Sequence, residues 1–495
     1  MTAETPDVGR TTVRAAAWAL ASATGKRVLT LGGLMLLARV LAPHDFGILG
    51  FAMVYLAFVE VVADLGTGPA LVYWPDRRDD AAQVAFIVNA IAGVFWCVVT
   101  FAAAPYIAHF FHEPNGTLVL RVLSFTTIVT FLGTTHDALA QKELKFRERS
   151  IPEVALTGVK SAVALVLAWM GFGAWSLVWG HVAGVIAWTI LLWVVIPWRP
   201  TLRIPRDLFG PMLRYGRSIV AVRMLTTLML DLDVIVVGRF LGVTALGLYQ
   251  MAARIPDSSV MVLIWVAAKT LFPAFSRLHA EGADVRHGYL IATRCVSSLT
   301  IPASLGLFFL ARPIIVVFFG PQWTGAAVIL SMLAIYVGFR AVDYDIGNVM
   351  KATGRTNTLV WLTAIKAVLL VPAVLIGATY SAAAVAAALA IVFGIGTLIT
   401  TIVSARILNI RLRSIAAAFS RSGSAGAIMS LALYLWLRWS PPLGNIIQLA
   451  GGLLLGGAVY IVALRILDPQ IFEWLRKMVF SRKTASADAL LRSEA

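Results

Sequence analysis

The chain reads as a succession of long apolar runs, each close to the length of a membrane-crossing helix, cut by turn residues or by clusters of charge. A helix needs about 20 mostly apolar residues to cross the hydrocarbon core. Windows of that kind fall at 15–41, 46–65, 82–104, 118–138, 153–170, 174–196, 213–238, 246–275, 290–311, 325–350, 358–378, 382–405, 414–437 and 445–465, which predicts about fourteen spans. Several breaks, such as Gly171 to Gly173 and Gly377 to Ser381, leave room only for a tight helical hairpin. The expected fold class is all-α integral membrane.

The pattern also repeats. The segment ARVLAPHDFG from Ala38 to Gly47 corresponds to GRFLGVTALG from Gly238 to Gly247, with Arg, Leu and the last Gly identical, and both follow an odd-numbered span. A weaker correspondence sets Asp137 and Lys142 beside Asp345 and Lys351, and Lys160 beside Lys366. Two pseudo-symmetric six-helix lobes follow, at 1–200 and 201–410, with two further spans in 411–467 and a tail at 468–495 whose stretch Ile471 to Phe480 reads as an interfacial helix. Halves repeated in this way are a transporter design.

Charge orients the chain. Basic residues gather in alternate loops, for instance Lys142, Lys145, Arg147 and Arg149, then Arg199, Arg203, Arg206 and Arg214. The other loops hold single arginines, Arg39, Arg239, Arg312 and Arg438. By the positive-inside rule both termini lie in the cytoplasm.

With 59% hydrophobic and 13% charged residues, the chain is far more apolar than a soluble domain. Its formal charge of +16 would suggest nucleic acid binding in a soluble protein, but here loop topology accounts for it and no nucleic acid partner is expected. Cys97 and Cys295 lack metal spacing and read as packing residues. The polar N-terminus, with Glu4 and Asp7, predicts no cleaved signal peptide.

A second set of basic residues sits inside or at the edges of the spans. Arg121, Arg217, Arg294 and Arg421 are close enough to span ends to snorkel. Lys26, Arg27, Lys160, Arg223, Arg254, Lys269, Arg340 and Lys366 are the candidate lining of a cationic lumen, since a charge at a helix centre costs about 2.5–3.5 kcal/mol on insertion scales and normally faces a cavity or a partner. Arg254 with Asp257, and Arg340 with Asp343, stand at i, i+3 and predict local pairs. Asp137, Asp231, Asp233, Asp257, Asp343 and Asp345 are candidate ion-coupling carboxylates. A net-basic cavity favours an anionic, phosphate-bearing cargo. Trp169, Trp175, Trp179, Trp188 and Trp193 crowd the fifth and sixth spans and read mainly as belt or packing residues.

The segment LARVLAPHDFGILG from Leu37 to Gly50, followed by ADLGTGPALV from Ala63 to Val72, resembles the start of bacterial polysaccharide exporters of the Wzx type. Gln141 to Arg147, Pro197 to Pro200 and Asp233 to Tyr249 resemble later loops of that family in the same order, and the likeness covers most of 15–410. The family belongs to the MATE-like flippase superfamily. The resemblance implies two six-helix lobes in a V with two C-terminal helices added. It also implies a cargo: an undecaprenyl-diphosphate-linked oligosaccharide unit moved across the cytoplasmic membrane of a bacterium for lipopolysaccharide, capsule or exopolysaccharide export. Membrane lipids, a polysaccharide polymerase and a chain-length regulator are the partners it implies, with the transporter itself a monomer.

A lipid II flippase and a multidrug exporter share the expected fold, although a cationic lumen would repel cationic drugs. A polysaccharide polymerase or ligase is the rival of a different class, and it usually carries a large outward loop. The outward loops here are short, the longest being Pro105 to Thr117 and Arg312 to Thr324, and no metal-ligand cluster or G-x-S-x-G nucleophile motif is present. A transporter rather than an enzyme is expected, with no cofactor.

Overall fold

The computed structural model describes residues 25–73, 77–143, 145–201, 205–280, 285–352, 355–440 and 443–471; within these, the side chains of 262–280 and of a few other positions, Asp345 among them, lie outside the description. The described residues form helices and no strand. In order they are α1 (25–40), α2 (Pro43–Ala63), α3 (Thr67–Tyr73), α4 (Arg78–Phe110), α5 (Gly116–Lys142), α6 (Phe146–Trp169), α7 (Ala174–Val195) and α8 (Arg206–Ala280). After these come α9 (Val285–Phe309), α10 (Ala311–Phe319), α11 (Ala326–Ala352), α12 (Thr356–Ala378), α13 (Ala382–Ile407), α14 (Leu412–Trp439) and α15 (Gly444–Leu467). Only helices satisfy every backbone group within one segment, which is what a single-chain crossing of lipid demands.

Ten of these helices, α2, α4, α5, α6, α7, α9, α11, α12, α13 and α15, are each long and apolar enough to cross a membrane. The remaining apolar windows correspond to α1, whose residues 15–24 lie outside the description, to the two arms of α8, and to α14. The chain is thus an all-α, multi-pass membrane protein. The expected interfacial helix at Ile471 to Phe480 lies outside the described residues beyond Ile471.

Local signals in the sequence explain the helix ends. Pro43 occupies the first turn of α2, and the Ala42 backbone N–H donates to Asp45 Oδ2 at 2.9 Å. The Ser381 hydroxyl caps α13 by accepting from the Ala384 N–H at 3.1 Å. Gly242, at φ 83°, interrupts α8 and divides it into arms 206–241 and 243–280. A side chain at that φ would be strained, so glycine sets the break.

The chain divides into two compact units, Met1–Gly247 and Leu248–Ala495. This division rests on contacts, whereas the boundary near residue 200 rests on the repeat, so the first arm of α8 packs within the first unit. There Gly216, on that arm, lies against the turn between α2 and α3. A Cβ on Gly216 would meet the Leu65 carbonyl oxygen at 2.0 Å, and one on Gly66 would meet Gly216 Cα at 2.4 Å. This backbone-to-backbone contact, of the kind small residues permit between membrane helices, fixes the relation of α8 to α2 and α3.

In the second unit, a core of Tyr289, Val296, Ile346, Met350, Leu362 and Ile415 joins α9, α11, α12 and α14. Tyr460 on α15 donates its hydroxyl to the Ser298 carbonyl at 2.8 Å, tying the added α15 to α9. Membrane helices hold together through close packing and such interhelical bonds, since lipid supplies no hydrophobic drive between them.

Candidate functional site

The first unit holds a cavity of about 840 Å³ at the end of the helices that carries the basic loops. Its walls come from the ends of α2 and α5, from α3, from the start of α6 and from the first arm of α8. The volume suits a ligand of substantial size, since ligand sites generally span about 300–1,000 Å³.

One ion pair dominates the cavity. Arg223 Nη1 donates to Asp64 Oδ2 at 2.8 Å, linking α8 to the end of α2. The placement follows from the packing at Gly216: Arg223 lies seven residues further on, about two helical turns, and so faces the same neighbour. Asp64 is positioned from its own side as well. Its Oδ1 accepts from the Gly68 N–H at 3.4 Å and lies 3.4 Å from the Thr67 hydroxyl, which donates to Asn89 Oδ1 at 2.9 Å. Asp64 is buried while the Arg223 side chain is 52% exposed, so the carboxylate anchors a guanidinium with donors left for the cavity.

A second pair lies across the same space. Arg149 donates through Nε and Nη2 to both oxygens of Asp137, at 2.8 and 3.0 Å, the parallel geometry in which such pairs are strongest. Glu60 and Asp231 also line the cavity, so among the described residues its walls hold four carboxylates and two guanidiniums. The excess of positive charge expected for the transport path is not found in this cavity. Tyr73 and Tyr215 stack at 4.7 Å between ring centroids and line it too, offering an aromatic surface of the kind that sugar rings favour. The tryptophans singled out in the sequence have other roles. Trp169 and Trp179 are exposed on the outside, and Trp193 donates to the Leu132 carbonyl at 3.0 Å.

The other expected cationic positions are dispersed. Lys26 Nζ lies 3.0 Å from Glu153 Oε2, Arg27 is exposed, and Lys160 sets its backbone carbonyl against Gly180 and its Cβ against Gly184 of α7. In the second unit Lys366, 6% exposed, donates to both oxygens of Asp343 at 2.6 Å, and a Cβ on Gly396 would stand 2.5 Å from its Cδ. Arg340 reaches Asp257 at 3.7 Å and lies over the Tyr336 ring. Both carboxylates therefore take partners on another helix rather than the arginines at i, i+3, because helix packing offers a second face that sequence spacing does not show. Arg254 is exposed, and Asp233 is buried. The side chains of Lys269 and Asp345 lie outside the described residues.

Sequence reasoning overlooked Asp64, Glu60, Arg149 and the tyrosine pair as site residues. Glu60 and Asp64 carried the same signal that marked the basic residues, a charge inside an apolar window, and stand one helical turn apart. Arg149 was legible only as a loop residue.

Outside the spans, Arg77 donates to Asp80 and Asp207, and Arg78 and Lys145 both donate to Glu143. Burial pushes the Glu143 carboxyl up, but the hydrogen bonds and charges of Lys145 and Arg78 outweigh it and hold the group below the usual glutamate value. The hydrogen bond from Arg77 likewise lowers Asp207.

A family model for a polysaccharide biosynthesis protein matches residues 36–328. The teichuronic acid biosynthesis protein TuaB of Bacillus subtilis is 25% identical over 358 residues, covering 71% of this chain and 73% of that one. The succinoglycan biosynthesis transport protein ExoT of Rhizobium meliloti is 24% identical over 375 residues, 76% of each chain. The lipopolysaccharide biosynthesis protein WzxC of Escherichia coli is 24% identical over 368 residues, covering 74% of this chain and 75% of that one. Among solved structures, the lipid II flippase MurJ in an inward closed conformation aligns with a TM-score of 0.75 at 16% identity, over 92% of this chain and 99% of that one. An inward-facing multidrug MATE transporter aligns at 0.60 with 13% identity, over 79% of this chain and 98% of that one. The fold is that of the MATE and MurJ transporters.

Proposed function

The chain belongs to the polysaccharide biosynthesis protein family, and from that premise we propose that it is a flippase for polyprenyl-diphosphate-linked oligosaccharide units. The observation that carries this reading is the match, over three quarters of both chains, to a succinoglycan transport protein, on a fold shared with a lipid II flippase. Both imply movement of a sugar-bearing headgroup across a bilayer.

The cavity of the first unit suggests how a headgroup is received. Arg223 is held by Asp64 yet keeps donors exposed, so a diphosphate can add to it with the carboxylate in place. Arg149 is the second donor, tied to Asp137 by two parallel bonds through Nε and Nη2 with Nη1 left over. Tyr73 and Tyr215 offer the stacking face for a sugar. Keeping Asp64 on Arg223 while the phosphate binds avoids leaving the buried carboxylate uncompensated at membrane depth. Lys26, Arg27, Lys160, Arg254, Lys269, Arg340 and Lys366 are the further cations of the path, and Asp231 is the coupling carboxylate best placed in this cavity. The polyprenyl chain stays in lipid while the headgroup crosses by alternating access. The protein sits in the cytoplasmic membrane with both termini inside, where the diphosphate substrate is assembled.

Arg223→Ala should abolish translocation of lipid-linked saccharide in inverted vesicles while membrane levels stay normal; Arg340→Ala should do the same. Full activity in both variants would refute the cationic path. An unchanged polysaccharide on deletion of the gene would refute the function as a whole.

A further inference from the structure

We propose that a pocket in the second unit, between the beginnings of α9 and α14, binds the phosphate of a lipid headgroup. The pocket measures about 210 Å³ and is lined on one side by His287, Leu290 and Arg294, and on the other by Ser414, Ala417 and Arg421. It shares no residue with the cavity of the first unit.

Its charge is unbalanced by construction. Arg294 donates through Nε and Nη2 to the two oxygens of Asp468, each at 2.5 Å, and its Nη1 and Nη2 also reach Gln470 Oε1 at 3.3 and 3.4 Å. Arg421 Nη1 reaches the same Asp468 Oδ1 at 3.4 Å. Asp468, at the end of α15, is 0% exposed, so among the described residues two guanidiniums share one buried carboxylate and one positive charge remains. The two arginines are not equivalent. Arg294, 17% exposed, has its fork occupied, whereas Arg421 is 46% exposed and has spent one long contact. Arg421 therefore supplies the open donors, and Arg294 with Asp468 forms the frame that holds it.

His287 adds a second, independent observation. Its Nε2 is buried without a hydrogen-bond partner among the described residues. Buried polar atoms are ordinarily satisfied, and an unmet one in the wall of a positively charged pocket points to a ligand rich in acceptors. A phosphate monoester or diester oxygen meets that need and the charge together.

The setting favours a lipid as the source. The lining residues occupy the first three turns of two helices on the face that carries the basic loops, within reach of headgroup depth for long arginine side chains, and Arg411 and Arg413 stand exposed at the beginning of α14. Basic pockets between membrane helices on that side are the usual binding places of anionic headgroups. Leu290 and Ile291 give the pocket an apolar wall on which an acyl chain can continue.

The test titrates the full-length protein in detergent with short-chain phosphatidylglycerol, with phosphatidylcholine and with inorganic phosphate, following the melting temperature. Phosphatidylglycerol should raise the melting temperature of the wild type at concentrations where phosphatidylcholine does not. Arg421→Gln and His287→Ala should each need about tenfold more lipid for the same shift, as expected on losing a charge-assisted contact, and Arg421→Lys should recover part of it. If inorganic phosphate alone gives the full shift at lower concentration than the lipid, the lipid assignment is overturned. Equal responses to phosphatidylglycerol in wild type and both variants overturn the site itself. Should Arg421→Gln fail to fold, His287→Ala and Arg421→Lys decide the question.

Discussion

Gly47 and Gly247 hold the same place in the two copies of the internal repeat, and each lies against the other's segment. A Cβ on Gly47 would meet the Val243 carbonyl oxygen at 1.8 Å, and one on Gly247 would meet the Pro43 carbonyl oxygen at 2.0 Å. The relation is reciprocal, position 47 on 243 and position 247 on 43, as in an isologous contact between identical subunits. Between them the Thr244 hydroxyl and His44 Nδ1 are 3.4 Å apart, at the same repeat position. The obstacle in both cases is backbone, which no rotamer change can move.

Gly47→Ala and Gly247→Ala should therefore each destabilise the protein by about 1–3 kcal/mol, the usual cost of overpacking. The double variant should cost less than the sum, because once the segments part for one methyl the second has room. Thermal melting of the purified protein in detergent reads both effects.

The buried Lys366 and Asp343 pair makes a different prediction. Lys366→Met leaves Asp343 without its cation and should destabilise by about 3–5 kcal/mol, whereas Lys366→Met with Asp343→Leu should recover most of the loss. Melting temperatures of the two variants separate a pair kept for stability from one kept for transport, since only the latter also loses flux in the recovered double variant.

Asp64 and Arg223 should show energetic coupling in transport. In a double-variant cycle of Asp64→Asn and Arg223→Gln, the combined loss of flux should fall short of the sum of the single losses by about 0.5–3 kcal/mol in transition free energy. Gly216→Leu should lower flux as well without touching either charge, because it pushes α8 from the turn that carries Asp64. Additive losses, or an active Gly216→Leu, would contradict the positioning described.

Acid should weaken the loop network. The folded-state pKa of Glu143 is depressed, so the unfolded chain binds a proton more readily and the pair's stabilisation is complete above the unfolded value of about 4.3. It disappears as pH falls through the folded value. The contribution is modest, about 0.5 kcal/mol, since Arg78 and Lys145 are about two-fifths exposed. Melting curves of wild type and Glu143→Gln should differ at pH 7 and converge as the pH falls through the depressed folded value.

The sequence by itself determined the helices and the alternation of their connecting loops, because membrane crossing is a one-dimensional constraint: apolar length and loop charge are both written along the chain. Polysaccharide export was legible too, in ordered short motifs from Leu37 to Tyr249. Tertiary structure decided the partners. Which carboxylate neutralises which cation depends on the helix that packs alongside, so Asp257 turned to Arg340, Asp343 to Lys366 and Arg223 to Asp64. Arg294 and Arg421 looked like edge residues reaching for water until α15 set Asp468 beneath them. Spacing along one helix reports only the face a residue occupies, and the opposing charge comes from a neighbour that no local pattern names.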